Sequence, residues 1–135
     1  MKNIVTIISV LFLMLVVLSA KSQSVTYNNE QLNALRSASI EQKTRMLTDT
    51  MCKYLHLTNS QVKQVYTLNL TTVQTTHEIM KNDDSKLSKY FAIKSHDEER
   101  DESLKVILTN SQFVLYQTIK ERIIKEIKDR RNARE

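Results

Sequence analysis

Cys52 and His56 are the residues whose types and spacing best suit chemistry. They lie four positions apart, so on a helix both side chains would project from one face. A thiolate and an imidazole can bind a transition metal, but a metal site needs three or four ligands. His77 and His96 have no histidine or cysteine at helical spacing. We therefore predict no complete metal site. The alternative for the pair is a packed thiol beside a histidine at a helix C-terminus, where its charge would suit the helix dipole.

A nucleophilic site built on the same pair is not predicted either. The chain contains no glycine, so it has no glycine loop for an oxyanion hole, and no third group is placed to orient the histidine. The charged run at 97–102 includes paired carboxylates, but such runs are typically a solvated helix face. We expect neither an enzyme nor a bound cofactor.

The first 22 residues are predicted to be a signal peptide. One lysine precedes a mostly apolar run at 4–18. At about 1.5 Å per residue this run reaches only ~22 Å, short of the ~30 Å hydrocarbon core of a bilayer. Ala20 and Ser22 occupy the small-residue positions that a signal peptidase reads, so we expect cleavage before Gln23, with cleavage after Ala20 as the second choice. The alternative is an uncleaved anchor. Cleavage would place the mature protein in the periplasm or export it further.

Residues 23–135 have the length of a single helical domain. Their net charge falls from +5 to +3 once Lys2 and Lys21 are removed, which is too little, and too evenly mixed with acid, for a nucleic-acid-binding protein. The charged tail at 120–134 and its apolar stripe offer contact with a membrane surface as an alternative, although a bundle core is the expected place for that stripe. The only cysteine, Cys52, excludes an internal disulfide and would be buried or paired between subunits.

The absence of both glycine and proline indicates the fold class. Most tight turns between strands need residues that tolerate positive φ, and glycine is their usual supplier. Long helices joined by short polar links need neither residue, so we predict an all-α protein. Helix starts are marked by three capping boxes of the form Ser/Thr-x-x-Gln, in which each side chain bonds the other residue's backbone amide. These boxes are Ser39 to Gln42, Thr58 to Gln61 and Thr109 to Gln112.

The capping boxes and the apolar periodicity predict four long amphipathic helices, in a cradle or a bundle. The first runs from about 39, or from 29, to 55, and the second from 58 to about 81. The third is capped by Asp84 or Ser85, and the fourth runs from 109 until it frays at 129–135. Narrow apolar stripes on long helices bury little surface in a monomer, so we expect a dimer or an interlocked bundle.

The third predicted helix has a discontinuous apolar pattern. Its middle, at 94–102, is almost entirely polar, and we expect that stretch to be solvated, bent or partly unwound. The apolar residues expected to carry its buried stripe are Leu87, Tyr90, Phe91, Leu104 and Ile107.

A five-residue motif, Leu-Thr-Asn-Ser-Gln, occurs twice without change, beginning at 57 and again 51 positions later at 108. The same offset pairs apolar residues in the two helices that follow. Each leucine precedes a capping threonine and can pack against the first turns of its own helix. The alternative is two ordinary capping boxes, but an identical pair that opens two amphipathic helices is more specific. We predict that the motifs fix sharp joins between helices without glycine.

These paired motifs resemble those of the LTxxQ proteins, the Spy/CpxP-like family of periplasmic proteins. The resemblance covers residues 42–128, from the approach at 42–47 through both motifs to the end of the last helix. It implies a four-helix, cradle-shaped chain that forms a homodimer by antiparallel packing of long helices. It also implies a structural role at the helix joins, and no client contact, for the motif residues Leu57, Thr58, Gln61, Leu108, Thr109 and Gln112.

The resemblance further implies an ATP-independent chaperone that binds unfolded or partly folded proteins and limits their aggregation in the cell envelope. The family also includes relatives that sense metals or restrain an envelope-stress sensor kinase. The alternative is therefore a regulatory or metal-responsive sensor subunit that acts on an envelope signalling partner. A structural helical protein without any client is a third possibility.

Overall fold

The computed structural model describes residues 37–133, apart from the side chains at 127, 130 and 131. Its elements are α1 (Ile40–Leu55), α2 (Asn59–Lys81), α3 (Lys86–Ile107) and α4 (Asn110–Asn132). These described residues contain no strand, so the prediction of an all-α protein with four long helices is confirmed. The signal peptide and the possible extension of the first helix to residue 29 lie outside the described residues.

The helices begin where their capping side chains are. Ser39 accepts a hydrogen bond from the Gln42 backbone N–H and caps α1, Thr58 caps α2 in the same way, and Ser85 caps α3. The chain leaves α1 through His56, which has a left-handed backbone with φ of 50°. Glycine usually occupies that position because it has no Cβ to clash there. In this glycine-free chain a histidine adopts it instead.

The four helices form a bundle. α1 packs against α2, α2 against α3, and α4 against both α1 and α3. One cluster of buried hydrophobic side chains joins all four helices, and it consists of Met51, Leu55, Val65, Leu104, Leu108, Tyr116, Ile119 and Ile123. None of these four helices, in residues 37–133, is long and apolar enough to cross a membrane.

The third helix differs from the prediction in two respects. Residues 94–102 are continuous helix, not unwound, and most of them are exposed as expected, but Arg100 is only 5% exposed. Burial in α3 instead follows Ile93, Arg100 and Leu104, which lie on one face at about 100° per residue. This buried face is not evident in the sequence, because Arg100, the middle one of its three residues, is charged and lies within the long polar run.

The apolar residues at the start of α3 are the second difference. Leu87, Tyr90 and Phe91 were expected in the buried stripe, but they are 61%, 39% and 58% exposed. Phe91 lies about 160° around the helix from Ile93, on the side away from the buried face. The prediction that these three side chains belong to the core is therefore wrong.

Candidate functional site

The two Leu-Thr-Asn-Ser-Gln motifs form two corners with the same local geometry. The Thr58 backbone N–H donates to Gln61 Oε1 at 2.9 Å, and the Gln61 N–H donates to Thr58 Oγ1 at 3.3 Å. The Thr109 N–H donates to Gln112 Oε1 at 2.9 Å, and the Gln112 N–H donates to Thr109 Oγ1 at 3.3 Å. Each pair satisfies two backbone donors that a helix N-terminus leaves without partners. The corners are thus equivalent in structure as well as in sequence.

The leucine that opens each motif anchors its corner to the core. Leu108 is buried within the shared hydrophobic cluster, and Leu57 is half-buried and packs against the same cluster. Because both leucines precede a capping threonine, they fix the direction in which the chain enters the next helix.

The two glutamines meet each other across the bundle. Gln61 Nε2 donates to Gln112 Oε1 at 2.7 Å, and Gln112 Nε2 donates to Gln61 Oε1 at 3.2 Å. Gln61 Nε2 also donates to the carbonyl oxygen of Ile107 at 3.1 Å. Gln112 Nε2 donates to the carbonyl oxygens of Leu55 at 3.0 Å and His56 at 3.4 Å. The starts of α2 and α4 are therefore each bonded to the end of a helix in the other half of the chain.

The two corners make equivalent contacts between the two halves of the chain. The start of α2 caps the end of α3, and the start of α4 caps the end of α1. The side-chain amides supply donors to carbonyls that a helix C-terminus leaves free. The two motifs predicted each corner by itself but not this pairing, for which the unchanged glutamine 51 positions later was the only signal.

A second polar feature lies inside the bundle, around Arg100. Its Nη1 donates to the Tyr116 hydroxyl oxygen at 2.8 Å, and its Nη2 donates to Asn69 Oδ1 at 3.0 Å. Asn69 in turn donates from Nδ2 to Thr48 Oγ1 at 3.1 Å. The sulfur of Met51 lies 3.6 Å from both Arg100 Nη2 and Asn69 Nδ2. The network therefore has members from all four helices.

The charge of Arg100 is balanced indirectly, through a tyrosine. The Tyr116 hydroxyl donates to Asp101 Oδ1 at 2.7 Å. Lys120 Nζ lies 2.6 Å from Asp101 Oδ2 and 2.6 Å from Asp97 Oδ2. Two cations and two carboxylates thus form one neutral cluster between α3 and α4. A buried guanidinium without such partners would be strongly destabilising.

Burial and the neighbouring charges shift two pKa values in this cluster. Burial raises the pKa of the Tyr116 phenol to about 12, against the opposing effect of the Arg100 and Lys120 charges. Burial lowers the pKa of Lys120, but Tyr116 and the carboxylates of Asp101 and Asp97 more than offset this, so that pKa lies above its ordinary value. Tyr116 is therefore a neutral hydrogen-bonding bridge near pH 7 and Lys120 a fixed cation, which is the chemistry of a structural network.

Cys52 and His56 are not brought to a third ligand. Cys52 is partly exposed, and burial, followed by the charge of Asp49, raises the pKa of its thiol. His56 is exposed at the end of α1. Within residues 37–133 no group of three or more His, Cys, Asp or Glu side chains is placed to hold a metal ion. The raised pKa favours the thiol over the reactive thiolate.

The start of α3 carries an exposed apolar surface, which we call the α3 patch and define as Leu87, Tyr90 and Phe91. These residues follow an i, i+3, i+4 pattern, so their side chains are neighbours on the helix. The rings of Tyr90 and Phe91 lie edge to face with centroids 5.6 Å apart. Large hydrophobic side chains exposed elsewhere in the described residues are Val106, Val114 and Leu115.

Comparison with known protein families gives one match. The family described as "Domain of unknown function (DUF4890)" matches residues 23–116, a range that contains both corners, Arg100 and Tyr116. No curated protein and no solved structure matches the chain. Because the match spans well over half of the 135 residues, the chain belongs to the DUF4890 family.

Proposed function

We propose that this protein is an exported, ATP-independent chaperone of the LTxxQ type, which binds unfolded or partly folded proteins in the cell envelope. The observation that carries the proposal is the pair of equivalent corners joined by Gln61 and Gln112. The resemblance to the LTxxQ proteins rests on those motifs. Their equivalent geometry supports a common structural role in helix joining, as that resemblance implies.

Two further features support a binding protein that works without nucleotide. The 135 residues contain no glycine, so they cannot form the glycine-rich phosphate loops that hold nucleotides in common folds. Exposed apolar side chains on α3 give the bundle a surface on which an unfolded chain can make weak, reversible contacts. Such contacts cover the hydrophobic segments through which unfolded chains aggregate.

Export and dimerisation are parts of the same proposal. The apolar run at 4–18 supports export, and the family match begins at residue 23, where cleavage is predicted. We propose that the working form is a homodimer in which the long helices of two copies pack together. Sedimentation with and without reductant measures its size and distinguishes packing from a bridge through Cys52.

An aggregation assay tests the chaperone function directly. The purified protein in its exported form is added, without nucleotide, to several unrelated proteins that aggregate on dilution from denaturant. We expect light scattering to fall in proportion to the added protein and to be abolished at a small molar excess. If an excess leaves the aggregation of every client unchanged, the proposal is wrong.

A further inference from the structure

The α3 patch departs from the rule that helices bury their apolar faces. Leu87 and Phe91 are 61% and 58% exposed, and Tyr90 is 39% exposed. At roughly 200 Å² for each complete side chain, these fractions leave about 300 Å² of apolar surface on one face of one helix. The largest apolar patch on an ordinary monomer is of that size and is often functional.

The α3 patch lies on a segment of α3 whose own charges have one sign. Residues 86–94 contain three lysines and no acidic residue. Lys89 is held beside the patch by a hydrogen bond from Nζ to the Met80 carbonyl oxygen at 2.9 Å. The carboxylates of Asp83 and Asp84 belong to the preceding link, so the first nine residues of the helix carry positive charge only. This composition suits a partner in which acidic residues stand beside apolar ones.

A second copy of this chain fits the α3 patch poorly. A two-fold axis through the patch would place each copy's lysines against the same lysines of the other copy. The area is also small, since a stable protein–protein interface buries about 800 Å² on each partner. A short, extended segment needs far less area and can match the charge.

We infer that the α3 patch is the site at which this protein holds its clients, through segments of unfolded polypeptide that combine aromatic or aliphatic residues with aspartate or glutamate. This inference deepens the proposed chaperone function and rests on it. The segment's apolar side chains pack on Leu87 and Phe91, and its carboxylates face the lysines. Such contacts are short and partly electrostatic, so they release readily, and salt weakens them.

The test uses two labelled peptides of equal length with the same phenylalanines and leucines, one with glutamates and the other with lysines between them. Fluorescence anisotropy measures their binding to the wild-type protein. We expect the glutamate peptide to bind at least tenfold more tightly than the lysine peptide and to weaken with added salt. Equal binding of both peptides would overturn the charge argument.

The variant L87S/F91S locates the site. Both residues are exposed, so the helical circular dichroism should stay at the wild-type level, and the glutamate peptide should bind at least tenfold more weakly. The matched control is V114S/L115S, which removes apolar side chains that are 64% and 42% exposed on α4 and should bind as the wild type does. Equal losses in both variants, or no loss in the first, would overturn the inference.

Aggregation assays on the same variants separate this inference from the proposed function. If the wild type and L87S/F91S suppress aggregation equally, the protein is a chaperone but the α3 patch is not its client site. If the wild type binds the glutamate peptide at the patch yet suppresses no aggregation, the patch is a docking site and the chaperone function is wrong. If sedimentation shows that L87S/F91S converts a dimer to a monomer while peptide binding is unchanged, the α3 patch is occupied by a second copy of the chain and the inference is wrong.

Discussion

Replacing Tyr116 with phenylalanine tests how the bundle tolerates a buried arginine. The hydroxyl accepts from Arg100 Nη1 at 2.8 Å and donates to Asp101 Oδ1 at 2.7 Å. Phenylalanine keeps the ring in the core, where Tyr116 is 1% exposed, and removes both hydrogen bonds. The substitution therefore isolates the polar bridge from the packing around it.

The expected loss follows from what each partner retains. Asp101 keeps Lys120 at 2.6 Å, so it is still paired. Arg100 keeps Asn69 at 3.0 Å, but its Nε already lacks a partner within the described residues, and Nη1 would lose one as well. Hydrogen bonds to charged groups are worth about 1.5–3 kcal/mol, and an orphaned charged donor costs more. We expect Y116F to lower the free energy of unfolding by about 2–4 kcal/mol, a large share of the total for a domain of this size.

Urea unfolding followed by far-ultraviolet circular dichroism measures this loss. The matched control is Y90F, which removes a hydroxyl from a side chain that is 39% exposed. It should stay within about 0.5 kcal/mol of the wild type, as exposed substitutions usually do. If Y116F is as stable as Y90F, the Arg100 network does not stabilise the fold and our account of the charge is wrong.

Three further predictions concern the corners, the buried phenol and the cysteine. In a double-mutant cycle, Q61A and Q112A should each lower the free energy of unfolding by about 1–2 kcal/mol, and the double variant should lose roughly 1 kcal/mol less than their sum, because either change already breaks the shared amide pair. Urea unfolding measures the cycle. The control Q42A, in a corner without a cross-bundle glutamine, should cost no more than a capping residue does, about 1 kcal/mol. Burial raises the pKa of Tyr116 from 10.0 to about 12, so the unfolded chain loses this proton first. The contribution of this group to stability is complete below pH 10 and should be lost, by ~3 kcal/mol in all, as pH rises through about 12. Urea midpoints across that range should fall less steeply in Y116F. Zinc, copper or nickel should leave the melting temperature of the wild type unchanged. A ligand specific to the folded state must stabilise it, so a rise in melting temperature that C52A abolishes would favour the metal-responsive sensor over the chaperone.

The helix starts could be predicted because capping is a local interaction. Ser39 with Gln42 and Thr58 with Gln61 lie three residues apart, and both boxes are present in the structure. The third box, Thr109 with Gln112, has the same hydrogen bonds. Helix ends were equally readable where a polar link follows, as at Lys81. No information from the rest of the chain was needed for any of these boundaries.

The interior of the third helix could not be predicted in this way. A charged residue is normally assigned to the surface, and the partners that allow Arg100 to be buried are 16 and 31 positions away in the sequence, at Tyr116 and Asn69. The wrong prediction that Leu87 and Phe91 are buried has the same cause. Once the buried face of α3 passes through Arg100, its first apolar residues must point elsewhere.

The pairing of Gln61 with Gln112 stands between these two cases. Its local half, the cap on each helix, was evident from the motif. Its long-range half required the knowledge that two helix ends meet at each corner, and the sequence offered only an unchanged repeat as a sign of it. A repeat that preserves a polar side chain at a helix start, and not only its apolar spacing, can therefore indicate a hydrogen bond between the copies.

These polar contacts fix the register of the helices at two positions along the bundle, and neither position includes the α3 patch. Apolar stripes alone allow neighbouring helices to slide, because one leucine can replace another, whereas hydrogen bonds hold a single register. The glutamine pair fixes the level of Ile107, and the Arg100 network fixes the middle of α3. The α3 patch begins at Leu87, twenty residues before Ile107, or about 30 Å away at 1.5 Å per residue. Under the proposed chaperone function, this separation would allow clients to be held and released at the α3 patch without disturbing the polar contacts that fix the fold.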